Sequence, residues 1–468
     1  MDNRNIVLLI LDTVSANALR MYDGVTSMPN LERLSRNGVR YNMAIAPSTY
    51  TLPSHLSIFL GKRVRLIDGM SVSWMKDNDM MTDPFMKKRT YGRGEITLSQ
   101  MMEYFGYKSA LFSNNPFVSS PTGLADGFSY VYNRFVDEKL KLNKLWIKAI
   151  LHLIQNDLAR KSLIRLAYEA SRLVPEDRLD GTYLWLRKVL NRNFSKEYGY
   201  YSLDCGADRT NKELGRYLKT RVDTRNFIVI NYMEGHEGYP TNLVTDRYIE
   251  QDKWMYMVGW TSQKELDETR RAYAKRLEYL DLEIGKTFEV LKSNGILEDA
   301  SVIITSDHGQ AFMEHGQMFH NIFPYNEVAR VPLVIAEFKS GRQVRYKELK
   351  SWPFSLTNLN SMIANRAIEV SSPVFSDHTG ITEVWDAYLL RLLKQRSRNA
   401  DIIYRKKLEL DMPATAIFSN NYKLIHYYGA RKDEMYDMRS DISESDNIID
   451  KRREIAHALL AQNGPHRR

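Results

Sequence analysis

Four residues of this chain have types and settings that point to chemistry: Thr51, Asp12, Asp307 and His308. Thr51 lies in APSTYTLPSHLSIFLG, residues 46–61, where Pro53 suits a first helical turn and Ser54, His55, Leu56 and Ser57 continue it without a breaker. The free N–H groups of such a turn favour an anion, so the stretch is arranged for a hydroxyl nucleophile attacking a phosphate-like group. A threonine shortly before a proline also serves as a plain cap or turn residue, and only its partners decide between the two. Asp12 closes the apolar run Ile6 to Leu11, and in SVIITSDHG the run Val302 to Ile304 leads into Asp307 and His308. Both runs read as buried parallel strands. Ligands of open α/β sheets gather at the carboxyl ends of strands, so these side chains are expected to converge on one crevice. Two carboxylates and an imidazole make a site for one divalent metal ion, and Mn, Mg, Ca or Zn suit that ligand set. A metal there would bind the Thr51 oxygen and lower its pKa, as a hydroxyl nucleophile requires. Ordinary capping is the alternative for either aspartate taken alone.

The elements that must position these residues alternate. From residue 1 to about 135 strands and helices follow one another; LSQMMEYFGYKSALFSNN reads as a helix, a stop at Gly106 and a buried strand. That alternation argues for a doubly wound sheet. A long charged helix, Ser262 to Ser293, places Leu277, Leu280, Ile284, Phe288 and Leu291 on one face and leads into the Asp307 strand. Residues 139–172 carry eight Lys or Arg against two acidic residues, with Leu142, Leu145, Ile150, Leu153, Ile154 and Leu158 at helical spacing. This is an inserted basic amphipathic helix or helix pair within about 136–200, either a lid over the site or a peripheral membrane contact. Residues 174–225 are polar and tyrosine-rich, with little pattern. TAIFSNNYKLIHYY reads as two strands joined at Asn420 and Asn421, so a small antiparallel sheet with a terminal helix is expected at the C-terminus. The boundary is expected near residue 345, giving a catalytic domain over 1–345 and a subdomain over 346–468.

Motif order adds a resemblance. The strand ending at Asp12, then MPNLERLSRNGVRYNMAIAPS, T-L-P-S-H with L-G downstream, SDHGQAFMEHG, YNEVARVPLVI and the closing NNYKLIHYYGARKDEMYDMRSDISESDN follow one another over nearly the whole chain. Together they resemble the sulfatase branch of the alkaline phosphatase superfamily. The resemblance implies an α/β fold, alkaline phosphatase-like, with a central mostly parallel sheet flanked by helices and a smaller C-terminal α+β subdomain. It also implies the metal set Asp12, Thr51, Asp307 and His308, with Thr13 where sulfatases usually carry a second Asp.

Two departures shape the expected chemistry. Sulfatases convert a Cys or Ser to formylglycine, followed by x-P-x-R; here Thr51 holds the nucleophile position and His55 the arginine position. Threonine cannot become formylglycine by that route, and the single cysteine, Cys205, lies far from the motif. A threonine nucleophile resembles the phosphoglycerol and phosphoethanolamine transferases. The resemblance further implies roles for His236, in INYMEGHEGYP, and for His315 and His320, as cationic clamps or general acids. His55 is a substrate-binding candidate in the arginine's place. Asn115, in LFSNNPF, stands where sulfatases carry a lysine-containing motif and is a candidate donor to an oxyanion. Solvated or turn roles are the alternatives for these five. The expected reaction is in-line attack of Thr51 on a phosphate mono- or diester through a phospho-threonine, with hydrolysis or transfer to follow. Sulfate-ester hydrolysis without formylglycine, and binding of an anionic ligand on a degenerate fold, are the alternatives.

Composition bounds the partners. The chain has 468 residues, a hydrophobic content of 43% and a formal net charge of +9, which favour a globular protein with anionic partners. A phosphoester substrate, a glycan or a lipid-linked precursor fits that charge. No nucleic acid is expected, because no nucleic-acid-binding motif is found. One cysteine excludes an internal disulfide framework. Neither a signal peptide nor an apolar stretch of transmembrane length is read, so a cytoplasmic location is expected.

Overall fold

The computed structural model describes residues 4–64, 95–133 apart from 116, 121 and 122, 203–220, 225–239, 257, 259, 261–365 apart from 321, 374–378, 409, and 412–463 apart from 420. The basic insertion expected over about 136–200, including 139–172, lies outside the described residues.

The first apolar run forms β1 (Asn5–Leu11), and strands follow at β2 (Val39–Ile45), β3 (Lys108–Ser113), β4 (Tyr130–Asn133), β5 (Asn226–Tyr232) and β6 (Asp299–Thr305). After the short β7 (Ala311–Phe312) and β8 (Met318–Phe319) come β9 (Arg330–Lys339), β10 (Arg342–Gln343) and β11 (Glu348–Ser355). The large sheet runs β11-β2-β9-β6-β1-β5-β3-β4, with β10 paired to β9. β1 pairs in parallel with both β5 and β6, and only the contacts of β9 are antiparallel. This is the doubly wound, mostly parallel sheet expected from the alternation.

β1 shows why its sequence is apolar throughout. Val7, Leu9 and Leu11 face a layer that includes Leu280, Ile284, Phe288 and Leu291 of the helix Gln263–Ser293. Ile6, Leu8 and Ile10 face the opposite layer, with Leu56 and Phe59 of the helix Thr51–Leu60 and Leu98 and Met102 of the helix Leu98–Tyr104. A strand covered by helices on both faces has no solvent side to leave polar. The long helix begins at a capping box, Ser262 with Glu265, which satisfies two of its first N–H groups.

The large sheet continues past residue 345. β11 is its edge strand, in parallel pairing with β2, and Phe354, Leu356, Leu359 and Ile363 pack into the same layer as the helix Thr51–Leu60. The expected boundary near 345 therefore cuts through this sheet, because the weakly patterned SWPFSLTNLNSMIA hides a strand and a helix. Beyond it, β12 (Val374–His378), β13 (Ala414–Phe418), β14 (Tyr422–Tyr427) and β15 (Glu434–Asp437) form a separate antiparallel sheet, backed by the helix Arg453–Gln462. Among the described residues no helix is long and apolar enough to cross a membrane.

Candidate active site

The carboxyl ends of β1, β5, β6 and β3 bring the candidate residues together. Asp12 follows β1, the pair Asp307 and His308 follows β6, His236 follows β5, and Asn115 follows β3. The helix Thr51–Leu60 enters the same region with Thr51 as its first residue. Asp12, Asp307 and His308 offer ligand atoms that all lie within 4.8 Å of one another. All three residues are completely buried.

Thr51 is in place beside them. Its Oγ1 lies 3.1 Å from Nε2 of His308, whose Nδ1 is 3.1 Å from the Gly309 carbonyl. A carbonyl only accepts, so Nδ1 carries the proton and Nε2 keeps its lone pair toward Thr51 and the carboxylates. Burial, with His320 nearby, pushes the His308 pKa well down and keeps the ring neutral. A neutral imidazole held through its other nitrogen is a prepared metal ligand.

The two carboxylates are arranged to take a cation. Asp12 Oδ2 accepts from Asn115 Nδ2 at 2.7 Å, and Asp307 Oδ1 accepts from the Thr13 and His308 N–H groups at 3.2 and 2.9 Å. Their other oxygens, Asp12 Oδ1 and Asp307 Oδ2, are buried with no hydrogen-bond partner. Burial first, then the charge of Asp307, raises Asp12 well above the usual carboxylate range. Burial likewise pushes Asp307 up to about 7. Two uncompensated buried carboxylates are costly unless a cation sits between them, so the donor set fits a divalent metal.

Further residues hold the set. Thr13, in the left-handed region at φ 59°, donates its hydroxyl to the Asp12 carbonyl at 2.7 Å, so that hydroxyl is spent on the main chain. Gly309 admits no side chain, because a Cβ there would lie 2.1 Å from the Glu327 carbonyl. Ser54 Oγ donates to the Asp307 carbonyl at 2.6 Å and ties the Thr51 helix to the end of β6.

The remaining candidates divide. His236 and His320 lie together, ring centroids 5.0 Å apart, and His320 is 4.6 Å from His308. Between them stands Glu237, 3.4 Å from His236 Nδ1 and 3.1 Å from His320 Nδ1. Burial works to raise Glu237, but His236 and His320 outweigh it and hold the group well below the usual range. His236 is raised: burial opposes protonation, while Glu237 and Asp12 prevail. Gln310 links the group, with Oε1 accepting from His320 at 3.0 Å and Nε2 donating to Glu237 at 3.1 Å. Sequence reasoning missed Glu237 and Gln310, although both sit within two residues of a histidine it selected. Arg276, on the long helix, donates to the His236 and Gly238 carbonyls at 3.1 and 2.9 Å and pins this loop.

His55 and Asn115 stand behind the ligands. His55 Nδ1 donates to the Thr51 carbonyl at 3.0 Å and lies 3.5 Å from Asp307 Oδ2. It is fully buried, and burial lowers its pKa to about 4. Asn115 spends its amide on Asp12. His315 is placed in another group: it stacks on Tyr325 at 3.9 Å and lies 3.8 Å from Glu327, away from the Asp12, Asp307 and His308 cluster.

A crevice at the strand ends of a mostly parallel sheet is where doubly wound α/β proteins place their sites. A family profile described as sulfatase matches residues 4–358, and the chain belongs to the sulfatase family. An N-acetylglucosamine-6-O-sulfatase of Bacteroides thetaiotaomicron is 22% identical over 505 residues, covering 96% of this chain and 83% of that protein. Arylsulfatase K of Bos taurus is 23% identical over 351 residues, covering 71% and 58%. Among solved structures, a phosphonate monoester hydrolase of Agrobacterium radiobacter aligns over 98% of this chain and 95% of its own with a TM-score of 0.60 at 15% identity. A complex with D-glucosamine-2-N,6-O-disulfate aligns over 99% and 97% with a TM-score of 0.57 at 15% identity.

Proposed function

We propose that this chain is a metal-dependent hydrolase of sulfate esters on an anionic sugar or glycan, with Thr51 as nucleophile. The observation that carries the reading is Thr51 Oγ1 at 3.1 Å from the lone-pair nitrogen of His308, beside two buried carboxylate oxygens without partners. The sulfate ester is supported by the family and by relatives named as sulfatases. The sugar is supported by the N-acetylglucosamine substrate in one relative's name and the disulfated glucosamine in a similar structure. The net charge of +9 supports an anionic substrate.

Asp12, Asp307, His308 and Thr51 would hold the divalent ion, which would supply Lewis-acid activation of the Thr51 hydroxyl. Thr51 Oγ1, its proton released to water, attacks sulfur in line, the ester bond to the sugar oxygen breaks, and His236 or His320 gives that oxygen its proton. Water then attacks the sulfo-threonine at sulfur, returning Thr51 and releasing sulfate. His55, by fixing the Thr51 carbonyl, and Asn115, by orienting Asp12, keep nucleophile and ligand in register.

A second reading is favoured by Thr51 itself. A threonine has no aldehyde hydrate from which to eliminate sulfate, and its alkoxide suits phosphate mono- and diesters or phosphonates, by hydrolysis or transfer, through a phospho-threonine. The single cysteine supports a reducing, cytoplasmic setting for either reaction. Metal-stripped protein resupplied with Mn, Mg, Ca or Zn and offered 4-nitrophenyl sulfate, phosphate and phenylphosphonate separates the readings. Faster sulfate release supports the first; faster phosphate or phosphonate cleavage, with a phosphoryl adduct on Thr51 by mass mapping, overturns it for the second.

A further inference from the structure

One residue of the small sheet, Asp377 on β12, holds both ends of the Thr51 helix. Upstream of Thr51, the Asp377 N–H donates to the Pro47 carbonyl at 3.0 Å and its carbonyl accepts from the Thr49 N–H at 3.1 Å. Ser48 Oγ donates to the same carbonyl at 2.9 Å, and Ser48 and Asp377 form an isolated parallel bridge. Downstream of the helix, the Asp377 carboxylate takes the Arg63 guanidinium with both oxygens, Nε to Oδ2 at 2.6 Å and Nη2 to Oδ1 at 2.5 Å. Thr415 Oγ1 adds a hydrogen bond to Oδ1 at 2.6 Å. Arg63 is itself seated, with Nη1 donating to Asn463 Oδ1 at 2.8 Å and its guanidinium 3.9 Å from the Phe375 ring centre. Asp377 is 3% exposed, so this two-pronged ion pair is a fixed geometry rather than a fluctuating surface contact.

We propose that Asp377 is a positioning residue for Thr51, through which the C-terminal sheet sets the placement of the nucleophile. The inference rests on the reading of Thr51 as nucleophile. The helix has ten residues, and on the catalytic side the Ser54 to Asp307 hydrogen bond, 2.6 Å, tethers its first turn. Leu56 and Phe59 seat its apolar face in the core. The bracket at 47–49 and at Arg63 fixes where its two ends lie, with Thr51 Oγ1 at 3.1 Å from His308 Nε2. A shift of about 1 Å at the attacking atom is enough to cost on the order of 100-fold in rate. The neutral Asp377→Asn keeps the strand's main-chain bonds but weakens the grip on Arg63. Arg63→Lys keeps the charge and loses the fork.

The test uses the full chain, saturated with the metal that activates it, and the aryl ester it turns over fastest. For wild type, Asp377→Asn, Arg63→Lys, Thr51→Ala and Asp433→Asn, kcat and KM are measured per folded, metal-bound molecule. Asp433, in the loop before β15, pairs with His426 of β14 at 2.9 Å and serves as a control for general loosening. The expected result is a fall in kcat on the order of 10- to 100-fold in Asp377→Asn and Arg63→Lys, with KM within about two-fold of wild type. Asp433→Asn is expected to lower the thermal midpoint and leave kcat in place. Unchanged kcat in Asp377→Asn and Arg63→Lys while Thr51→Ala is inactive overturns the positioning role and leaves the nucleophile standing. A Thr51→Ala protein with wild-type turnover overturns both. If Asp377→Asn does not fold, Arg63→Lys decides alone by the same criterion.

Discussion

Thr51 and the ligands around it set the reactivity, and each has a distinct expected signature. Thr51→Ala removes the attacking atom while leaving the apolar surroundings of the helix in place. A loss of at least about 1,000-fold in kcat/KM with an unchanged thermal midpoint is expected, checked by steady-state kinetics beside calorimetry. Asp12→Asn should act oppositely on stability and on metal binding. Without metal it removes one of two buried, mutually repelling carboxylates, so the apo-protein should be as stable as wild type or more so. With metal, it should lose the rise in thermal midpoint that wild type shows; binding at about 100 times Kd contributes about 2.7 kcal/mol to the folded state. Thermal scans with and without Mn check both halves, and an equal rise in the variant counts against Asp12 as a ligand. Glu237 sets the proton supply. Against the effect of burial, its charge raises the His236 pKa, so Glu237→Gln lowers that pKa and His236 loses its proton at lower pH. If His236 acts as the acid, the alkaline limb of the kcat profile moves toward lower pH. A limb that stays in place removes Glu237 and His236 from the proton transfer.

The elements matter because the site is assembled from their ends. β1, β5 and β6 are adjacent and parallel, so Asp12, His236 and the Asp307–His308 pair emerge on one edge, which an antiparallel arrangement would have divided between two. The loop after β5 passes close to the loop after β1. A Cβ on Gly235 would lie 2.4 Å from the Asp12 carbonyl. Gly235→Ala must therefore push His236 and Glu237 away from Asp12. The expected outcome is a fall in kcat on the order of 100-fold with an added cost of about 1–3 kcal/mol in stability. Urea denaturation and kinetics on one preparation check it. The neighbouring helices were legible because their signals are local. Ser262 with Glu265 marks the start of the long helix, and the five apolar residues from Leu277 to Leu291 mark its buried face. β11 was not legible, since a strand covered on one side only and containing Pro353 carries neither a continuous apolar run nor a clean alternation.

At the scale of the whole molecule, the small sheet is joined to the large one by buried charge. Lys423 on β14 is fully buried and pairs with Glu444 at 2.5 Å, and it donates to Asn326 Oδ1 at 3.0 Å. Asn326 begins the short helix Asn326–Ala329 that leads into β9, and its N–H donates to Glu444 Oε2 at 2.6 Å. Breaking such a pair from one side strands a charge, so Lys423→Met should cost about 3–5 kcal/mol. The double variant Lys423→Met with Glu444→Gln should recover part of that loss, measured by chemical denaturation beside Glu444→Gln alone; a double loss equal to the sum of the two single losses would mean that the pair is not coupled. By itself the sequence determined the strands that end in Asp12 and in Asp307–His308, the helix that begins at Thr51, and the C-terminal hairpin. These depend on apolar runs, caps and turn residues within a few positions. Only the tertiary structure decided that Asn115 holds Asp12 from 103 residues away, that Glu237 stands between two histidines, that His315 belongs to a different group, and that Asp377 grips both ends of the Thr51 helix. Those relations are set by strand order and by the seating of one sheet on another, where distance along the chain has no bearing on distance in space.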